Sequence, residues 1–350
     1  MMKEEREREI VGMSSGKGER HMPTKPFPAY DPIPWLMTQN GLVAVRARRL
    51  LSLHREDDEE TVKSLELQLS KAQLPDGSFE RSIIKTAGVL NLLDDLKPFN
   101  SKTLIEKASF YLLSVLEAQP GYERAKRVTP SSLRTSCDLC GFFGPYEDRN
   151  RPEFLALGAR EMNFFREFEP LLGPKSVVRA SRRSNFDRPG ASSCYSWGLI
   201  PLSYTIEALC HAGHAENLKL KPAVNVMLGA QRESGGWCRN LGGHPNCTIH
   251  AIRALASHEQ LRQSTYAEKA LRFMRMTQQA SENQCRRWWS GSNVFATIQV
   301  IAEWDIPAAR EIIQSALLGL AQRQQKNGTW GDPSRIERVA AVLKATRRIA

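Results

Sequence analysis

Residues 231–255, QRESGGWCRNLGGHPNCTIHAIRAL, decide the architecture of this chain. They begin with a turn that contains two glycines and ends in the large ring of Trp237. Glycine adopts a positive φ without a Cβ clash, so the backbone can turn sharply after a helix and the ring can fold back over the helix ends. The remaining residues bring two cysteines and two histidines close together in sequence. The stretch therefore predicts a helical fold and a site built on it.

The same turn recurs along the chain. Residues 73–79, QLPDGSF, closely resemble residues 231–237, because a glutamine at a helix end precedes a glycine and then an aromatic ring. The rings that close such turns are Phe79, Tyr122, Trp237, Trp288 and Trp330. Three of the four gaps between these rings are roughly 45 residues, the length of a helix–loop–helix repeat. The second gap, from Tyr122 to Trp237, is longer and predicts insertions there.

Apolar periodicity predicts helices over residues 42–53, 58–72, 82–93, 101–118, 265–279, 308–325 and 336–347. No segment alternates strictly between apolar and polar residues, so no sheet is expected. We therefore predict an all-α repeat protein. Residues 1–25 are expected to be a disordered charged tail and residues 26–350 a single repeat domain, interrupted by a long loop at about 120–160.

Composition restricts the class of protein. The chain has a formal charge of +11, 41% apolar and 25% charged residues, and no run near the ~18 apolar residues that cross a bilayer. Its first residues lack the apolar core of a signal peptide, so we expect a cytoplasmic protein without a membrane span. Seven cysteines then indicate free thiols or metal ligands rather than disulfides. The arginine clusters lack the aromatic interleaving or zinc-finger spacing of nucleic-acid modules, so no nucleic acid is expected.

The Gln–x3–Gly–x–aromatic turn resembles the repeat of the prenyltransferase/squalene-cyclase superfamily. Phe79 and Trp237 close full copies, whereas Tyr122 and Trp330, the latter in a turn that begins at Gln325, close shortened ones. The resemblance covers about residues 30–348 and implies an α/α-toroid, in which about five or six helical hairpins form concentric rings around a cavity. In such a turn the glutamine can hydrogen-bond backbone groups at the start of the next helix while the ring packs over it.

A finer likeness concerns the beta subunits of protein prenyltransferases, which hold a catalytic zinc with Asp, Cys and His. Residues 194–197, CYSW, are similar to the stretch that carries their zinc cysteine and opens a helix. Their aspartate lies two residues earlier, where this chain has Ser192, and their His-Thr helix start is replaced by Cys247-Thr248. The likeness implies a metal at the same place with a thiol-rich ligand set. It does not imply protein prenylation, because the aspartate is missing.

The residues themselves favour zinc, which prefers thiolates and imidazoles in a tetrahedron. We predict a site made by Cys194, Cys238 and Cys247 and completed by His250, which shares a helix face with Cys247. A helix N-terminus also lowers a thiol pKa and so favours the metal-binding thiolate. The fourth ligand could instead be one of three other residues, namely His244, Cys137 or Cys140. In the alternative interpretation, the thiols are small buried hydrophobic groups and bind no metal.

Motifs of other toroid enzymes are absent or altered. The chain contains neither the DxDD acid of class II terpene cyclases nor a DDxxD motif, so cyclisation by that mechanism is not expected. Lanthipeptide cyclases bind zinc with a Trp-Cys and a Cys-His pair, which occur here at 237–238 and 210–211 in the opposite order. Arg182, Arg183 and Arg188 precede Cys194 and could bind a diphosphate, or they form a solvated basic loop.

Two hypotheses for the function follow. The first is a zinc-bearing transferase or lyase that acts on an isoprenoid-like or other apolar substrate in the toroid cavity. The second is a non-catalytic binding or scaffold module with a structural zinc or no metal. The sequence assigns no catalytic residue and no protein partner. Four protein ligands on the zinc would favour the scaffold, because a catalytic zinc keeps one position open.

Overall fold

The computed structural model describes residues 28–98, 100–119, 121–127, 129–130, 193–237, 245–283, 293–330 and 336–349. All regular secondary structure in these ranges is helical, which confirms the all-α prediction. The charged tail at 1–25 and nearly all of the predicted loop at 120–160 lie outside them. Within the same ranges, no helix combines the length and the apolar character that a membrane span requires.

The helices are numbered in chain order. The first half comprises α1 (Ile33–Thr38), α2 (Leu42–Leu50), α3 (Asp58–Ala72), α4 (Ile83–Leu96), α5 (Lys102–Glu117), α6 (Tyr122–Lys126) and α7 (Ser193–Leu209). A π-helical turn, Cys210–His214, extends α7. The second half comprises α8 (Lys221–Gly229), α9 (Pro245–Ser257), α10 (Glu259–Arg262), α11 (Thr265–Asn283), α12 (Asn293–Ile301), α13 (Pro307–Ala321) and α14 (Ile336–Ile349).

Periodicity located the longer amphipathic helices and missed several others, among them an apolar one. The predicted helix at 58–72 coincides with α3, whose first turn is acidic and whose last turn is basic, as the helix dipole favours. The predicted helix at 308–325 ends earlier, at Ala321, because the following residues form a turn. Helix α12, NVFATIQVI, has no predicted counterpart, since a short helix that is apolar on most sides shows no amphipathic period.

Six helices contact one another in a closed cycle, and we call them the ring helices. Helix α2 packs against α4, α4 against α7, α7 against α9, α9 against α12, α12 against α14, and α14 against α2 again. Arg347 of α14 donates a hydrogen bond to the carbonyl of Leu51 at the end of α2, so the carboxyl-terminal helix is fastened to the first ring helix. Each ring helix also packs against at least one of the flanking helices, which are α1, α3, α5, α8, α11 and α13.

The glutamine of each turn joins one flanking helix to the next. The Gln73 amide donates to the carbonyls of Gly77, at 3.0 Å, and of Leu104 in the first turn of α5, at 2.9 Å. Gln231 repeats this pattern with Gly235 and with Tyr266 in the first turn of α11, at 2.9 and 2.8 Å. The prediction of a bond to the start of the next helix was wrong in its partner, because the glutamine passes over the following ring helix and reaches the next flanking helix.

The copy closed by Trp330 is complete, and its prediction as a shortened copy was wrong. Gln324, rather than Gln325, donates to the carbonyls of Gly328 at 3.1 Å and of Tyr30 at 2.7 Å. Tyr30 precedes α1, so this last glutamine reaches the beginning of the chain in the way that earlier copies reach the next flanking helix. The spacing from Gln324 to Trp330 equals that from Gln231 to Trp237.

The aromatic rings are structural, as predicted. Trp237 and Trp330 are 0% and 2% exposed, and each indole N–H donates to a carbonyl of the preceding flanking helix, Met227 and Leu320 respectively. A buried indole needs such a partner for its N–H. The ring therefore closes the turn by burial and by one directed hydrogen bond.

Two glycines allow a stringent test of the repeat turn. Gly235 and Gly213 both have positive φ, at 92° and 86°, but only Gly235 lies against another helix. A Cβ at Gly235 would lie 2.0 Å from the carbonyl oxygen of Lys269 in α11, whereas a Cβ at Gly213 would have no neighbour within 4 Å. We expect Gly213→Ala to lower the free energy of unfolding by about 1–2 kcal/mol through its left-handed backbone alone. Gly235→Ala should lower it by about 3–5 kcal/mol, because the collision adds to the strain.

Urea denaturation of the two variants measures this difference. Equal losses of stability would show that the turn does not approach α11 as closely as described.

Candidate axial site

The predicted zinc residues are only partly within the described ranges. Cys247 and His250 lie one turn apart in α9 and are both 6% exposed. Cys194 lies in the first turn of α7. The other candidate ligands and the predicted anion-binding arginines lie outside the described residues; they are Cys137, Cys140, Arg182, Arg183, Arg188, Cys238 and His244. In the part of the chain that is described, no three Cys, His, Asp or Glu side chains gather as a metal site requires.

Helices α7 and α9 run parallel. The rings of Tyr204 and His250 are 5.9 Å apart between centroids, and one turn further along both helices Arg253 binds Glu207. This register places Cys247 level with Pro201 of α7. Cys194 precedes Pro201 by seven residues. At 1.5 Å per helical residue, it therefore lies about 10 Å closer than Cys247 to the amino-terminal ends of these helices. Each Zn–S bond is only about 2.3 Å long, so one zinc ion does not bridge residues at these two levels of neighbouring helices.

The imidazole of His250 is held in its neutral form. Burial, together with the neighbouring cation Arg253, lowers its pKa to about 3. A neutral imidazole has a lone pair available, which is the form that binds a metal. The same property is shared by any histidine in a packed core, so it supports a ligand role without establishing one.

A polar cleft opens where the ring helices end. Its walls come from α2, α4, α7, α9 and α12, and the polar residues among them include Arg46, Asn91, Asp95, Glu207, His211 and Arg253. Gln299 and Glu303 complete the wall on the side of α12. The cleft encloses about 520 Å³, part of which is open to solvent. This end of the ring interior therefore suits a polar molecule rather than an apolar one.

Ion pairs connect neighbouring ring helices around this cleft. Arg46 of α2 binds Asp95 of α4, and the carboxylate of Glu207 in α7 accepts two hydrogen bonds at 2.9 Å from Nε of Arg253 in α9. Arg253 also lies over the ring of Tyr204, with its Cζ 5.4 Å from the centroid. The carboxylate of Glu207 raises the pKa of Arg253 against the opposing effect of burial, so this side chain stays charged.

A histidine and a carboxylate meet at the rim. Nδ1 of His211 lies 3.5 Å from a carboxylate oxygen of Asp94. Burial raises the pKa of Asp94, and the neighbouring carboxylates Asp95 and Glu303 add to this rise while His211 opposes it. Cys210 is beside this pair in sequence, but burial raises its thiol pKa to about 11. Cys210 is therefore a packing residue rather than a nucleophile.

Comparisons with protein-family models, with curated proteins and with solved structures find no significant match to this chain. The function must therefore be inferred from the chain's own residues.

The residues of this cleft were not predicted from the sequence, although the sequence contains a signal for them. Asn91, Glu207 and Arg253 each stand alone among apolar neighbours, in VLNLL, TIEAL and AIRAL. An isolated polar residue in a mostly apolar helix must find a buried partner or face a polar cavity. The partner cannot be identified before the helices are placed, because it comes from a distant part of the chain.

The contribution of the buried pair Glu207–Arg253 to the stability of the fold can be tested by removing one partner. Arg253→Met leaves the carboxylate of Glu207, a residue 5% exposed, without its cation, and should lower the free energy of unfolding by about 3–5 kcal/mol. Adding Glu207→Leu to this variant should recover most of the loss, because no buried charge then remains unpaired.

The matched control is Lys219→Met, which breaks the more exposed pair with Glu117 and should lower the free energy of unfolding by at most about 1 kcal/mol. Chemical denaturation measures all three variants. A double variant as unstable as Arg253→Met would mean that the loss comes from packing rather than from the unpaired charge.

Proposed function

We propose that the chain is an α/α-toroid of the prenyltransferase/squalene-cyclase repeat type. Three features support this proposal. The ring helices contact one another in a closed cycle, each with a flanking helix. The complete turns at Gln73, Gln231 and Gln324 make equivalent contacts, and the last one reaches Tyr30 at the start of the described chain. Gln278 adds a related bond from α11 to the carbonyl of Ile312 in α13.

The proposed activity is that of a zinc-dependent transferase or lyase that acts on a small molecule within the ring. The observation that carries it is the pair Cys247 and His250, which lies buried on the face of α9 that also carries Arg253. A thiol in the first turn of a helix is favoured as thiolate by the helix dipole, and the imidazole is neutral. Cys238, together with one of the alternatives His244, Cys137 and Cys140, would complete the ligand set, whereas the register of α7 and α9 separates Cys194 from Cys247 by more than one zinc ion spans.

The chemistry and the substrate follow from the position of this site. A zinc ion with an open coordination position lowers the pKa of a bound water or thiol and polarises a carbonyl or phosphoryl oxygen. The cleft at the carboxyl-terminal ends of the ring helices is lined by charged groups. An isoprenoid-like substrate would therefore occupy the opposite end, where α7 and α9 begin and where Cys247 lies. The arginines at 182, 183 and 188 would bind its anionic head group.

A non-catalytic scaffold is the second candidate. It is favoured by the ion pairs between neighbouring ring helices, which fill part of the interior with groups that stabilise the ring rather than bind a substrate. A zinc ion with four protein ligands would belong to this candidate, because no position would then be open for chemistry.

Metal content after mutation tests the zinc site. The protein purified without chelators should contain about one equivalent of zinc by elemental analysis, and Cys247→Ser should reduce it below about a tenth. Cys210→Ser is the matched control, since this thiol is also buried but has a pKa of about 11 and lies at the other end of α7. It should retain the zinc of the wild type.

Two further measurements separate the candidates. X-ray absorption should give three protein ligands and one oxygen for an enzyme, and four protein ligands for a scaffold. Tryptophan fluorescence during titration with a prenyl diphosphate tests the substrate class. A wild-type protein with less than about a tenth of an equivalent of zinc would refute the metal site in either form.

A further inference from the structure

The loop between α1 and α2 contains Asn40 followed by Gly41, and both residues are exposed. In an Asn–Gly pair the backbone nitrogen of the glycine can attack the side-chain amide of the asparagine, because glycine has no side chain that shields this nitrogen. Gly41 has a φ of 87°, and a Cβ placed on it would have no neighbour within 4 Å. Among the described residues, no backbone acceptor binds its N–H. The attacking nitrogen is therefore both accessible and unengaged.

The amide that this nitrogen would attack is bound to a cation. Nη2 of Arg55 donates a hydrogen bond to Oδ1 of Asn40 at 2.7 Å. The guanidinium group is held in place by its other donors, which bind both carboxylate oxygens of Asp57 and the carbonyl groups of Met37 and Gln39. A fixed cation at Oδ1 stabilises the negative charge that the attack places on this oxygen.

A second Asn–Gly pair, Asn327–Gly328, has a different environment. Gly328 is buried, and its N–H donates to the carbonyl of Gln325 at 2.9 Å. Oδ1 of Asn327 accepts two hydrogen bonds from Thr329, one from the backbone N–H at 3.1 Å and one from the hydroxyl at 2.8 Å. Both of these donors are neutral. The two pairs therefore share a sequence but differ in the access of the nitrogen and in the charge of the donor.

We propose that Asn40 is a site of spontaneous deamidation, which the contact with Arg55 accelerates. The nitrogen of Gly41 loses its proton to water and forms a bond to Cγ of Asn40. The side-chain nitrogen of Asn40 takes up a proton and leaves as ammonia, so that a cyclic imide remains. Water then opens the imide at either of its two carbonyl groups. One product is aspartate, and the other is isoaspartate, in which the main chain runs through the side-chain carbon.

The two products change the fold differently. An aspartate at position 40 leaves the main chain as it is and places a carboxylate oxygen beside the guanidinium group of Arg55. An isoaspartate adds one methylene group to the main chain between α1 and α2. The segment before this loop carries α1 and Tyr30, which binds Gln324 of the turn closed by Trp330. Isoaspartate therefore displaces the segment that joins the beginning of the described chain to its last complete turn.

Storage of the full-length protein in its folded state tests the site. Peptide mapping by mass spectrometry measures the aspartate and isoaspartate formed at positions 40 and 327 during incubation in mildly alkaline buffer. Asn40 should convert at least about tenfold faster than Asn327, because an unengaged nitrogen and a charged donor act together. In concentrated urea the two rates should become similar, since both pairs then have the same Asn–Gly sequence without the folded environment.

Arg55→Met removes the cation from Oδ1 of Asn40. In the folded protein it should slow the conversion of Asn40 at least about fivefold, and it should not change the rate at Asn327. The matched control is Arg310→Met, which breaks the exposed ion pair with Asp305 and should leave both rates unchanged. The comparison of the two Asn–Gly pairs within the wild-type protein remains a test even if Arg55→Met does not fold.

Melting temperatures test the consequence for the fold. Stored wild-type protein should melt a few degrees lower than fresh protein, in proportion to its isoaspartate at position 40. Asn40→Gln, which forms the corresponding imide far more slowly, should keep its melting temperature during the same storage.

Two results would overturn the proposal. The first is that Asn40 converts no faster than Asn327 in the folded wild-type protein. The second is that a folded Arg55→Met variant converts Asn40 at the wild-type rate or faster, which would mean that the guanidinium group restrains the amide instead of activating it.

Discussion

The fold depends on one side-chain interaction, the pair of hydrogen bonds that a glutamine amide donates at the end of a flanking helix. One bond holds the turn closed at a glycine carbonyl, and the other reaches a carbonyl near the start of the next flanking helix. Without the glutamine, these carbonyl groups would need another hydrogen-bond partner at the place where the helices meet. Because the same bonds are made at Gln73, Gln231 and Gln324, these three turns contact the next flanking element in equivalent ways.

The glycine of the same turn explains why neighbouring hairpins can approach so closely. At Gly77 and Gly235 a Cβ would collide with the carbonyl of Lys107 or Lys269 in the next flanking helix. At Gly328 the corresponding neighbour is Pro32, which precedes α1. The first flanking helix thus occupies the place that a following repeat would fill. This contact and the bond from Arg347 to Leu51 join the two ends of the described chain.

Inside the ring, ion pairs between neighbouring helices fix the position of one helix along the other. An apolar surface allows one helix to slide along another at little cost, whereas a buried ion pair is satisfied in one position only. Glu207 with Arg253 sets the level of α7 relative to α9, and Arg46 with Asp95 does so for α2 and α4. The charged interior is therefore part of the architecture. Asn91 is the exception, since neither polar atom of its buried amide has a hydrogen-bond partner among the described residues.

The sequence by itself determined the helical class, the position of helices such as α3, and the glutamine–glycine–aromatic turns, because each of these depends on residues close together in the chain. The assignment of the third turn to Gln325 was wrong by one residue, although the Gln–x3–Gly–x–aromatic spacing already fits Gln324, the residue that bonds Tyr30. Tertiary structure alone decided the closure of the helix cycle, the pairing of Glu207 with Arg253 and the assembly of the axial cleft from five helices. These features join residues that are distant in the chain, and an isolated polar residue in an apolar helix indicates that a partner exists without indicating which one.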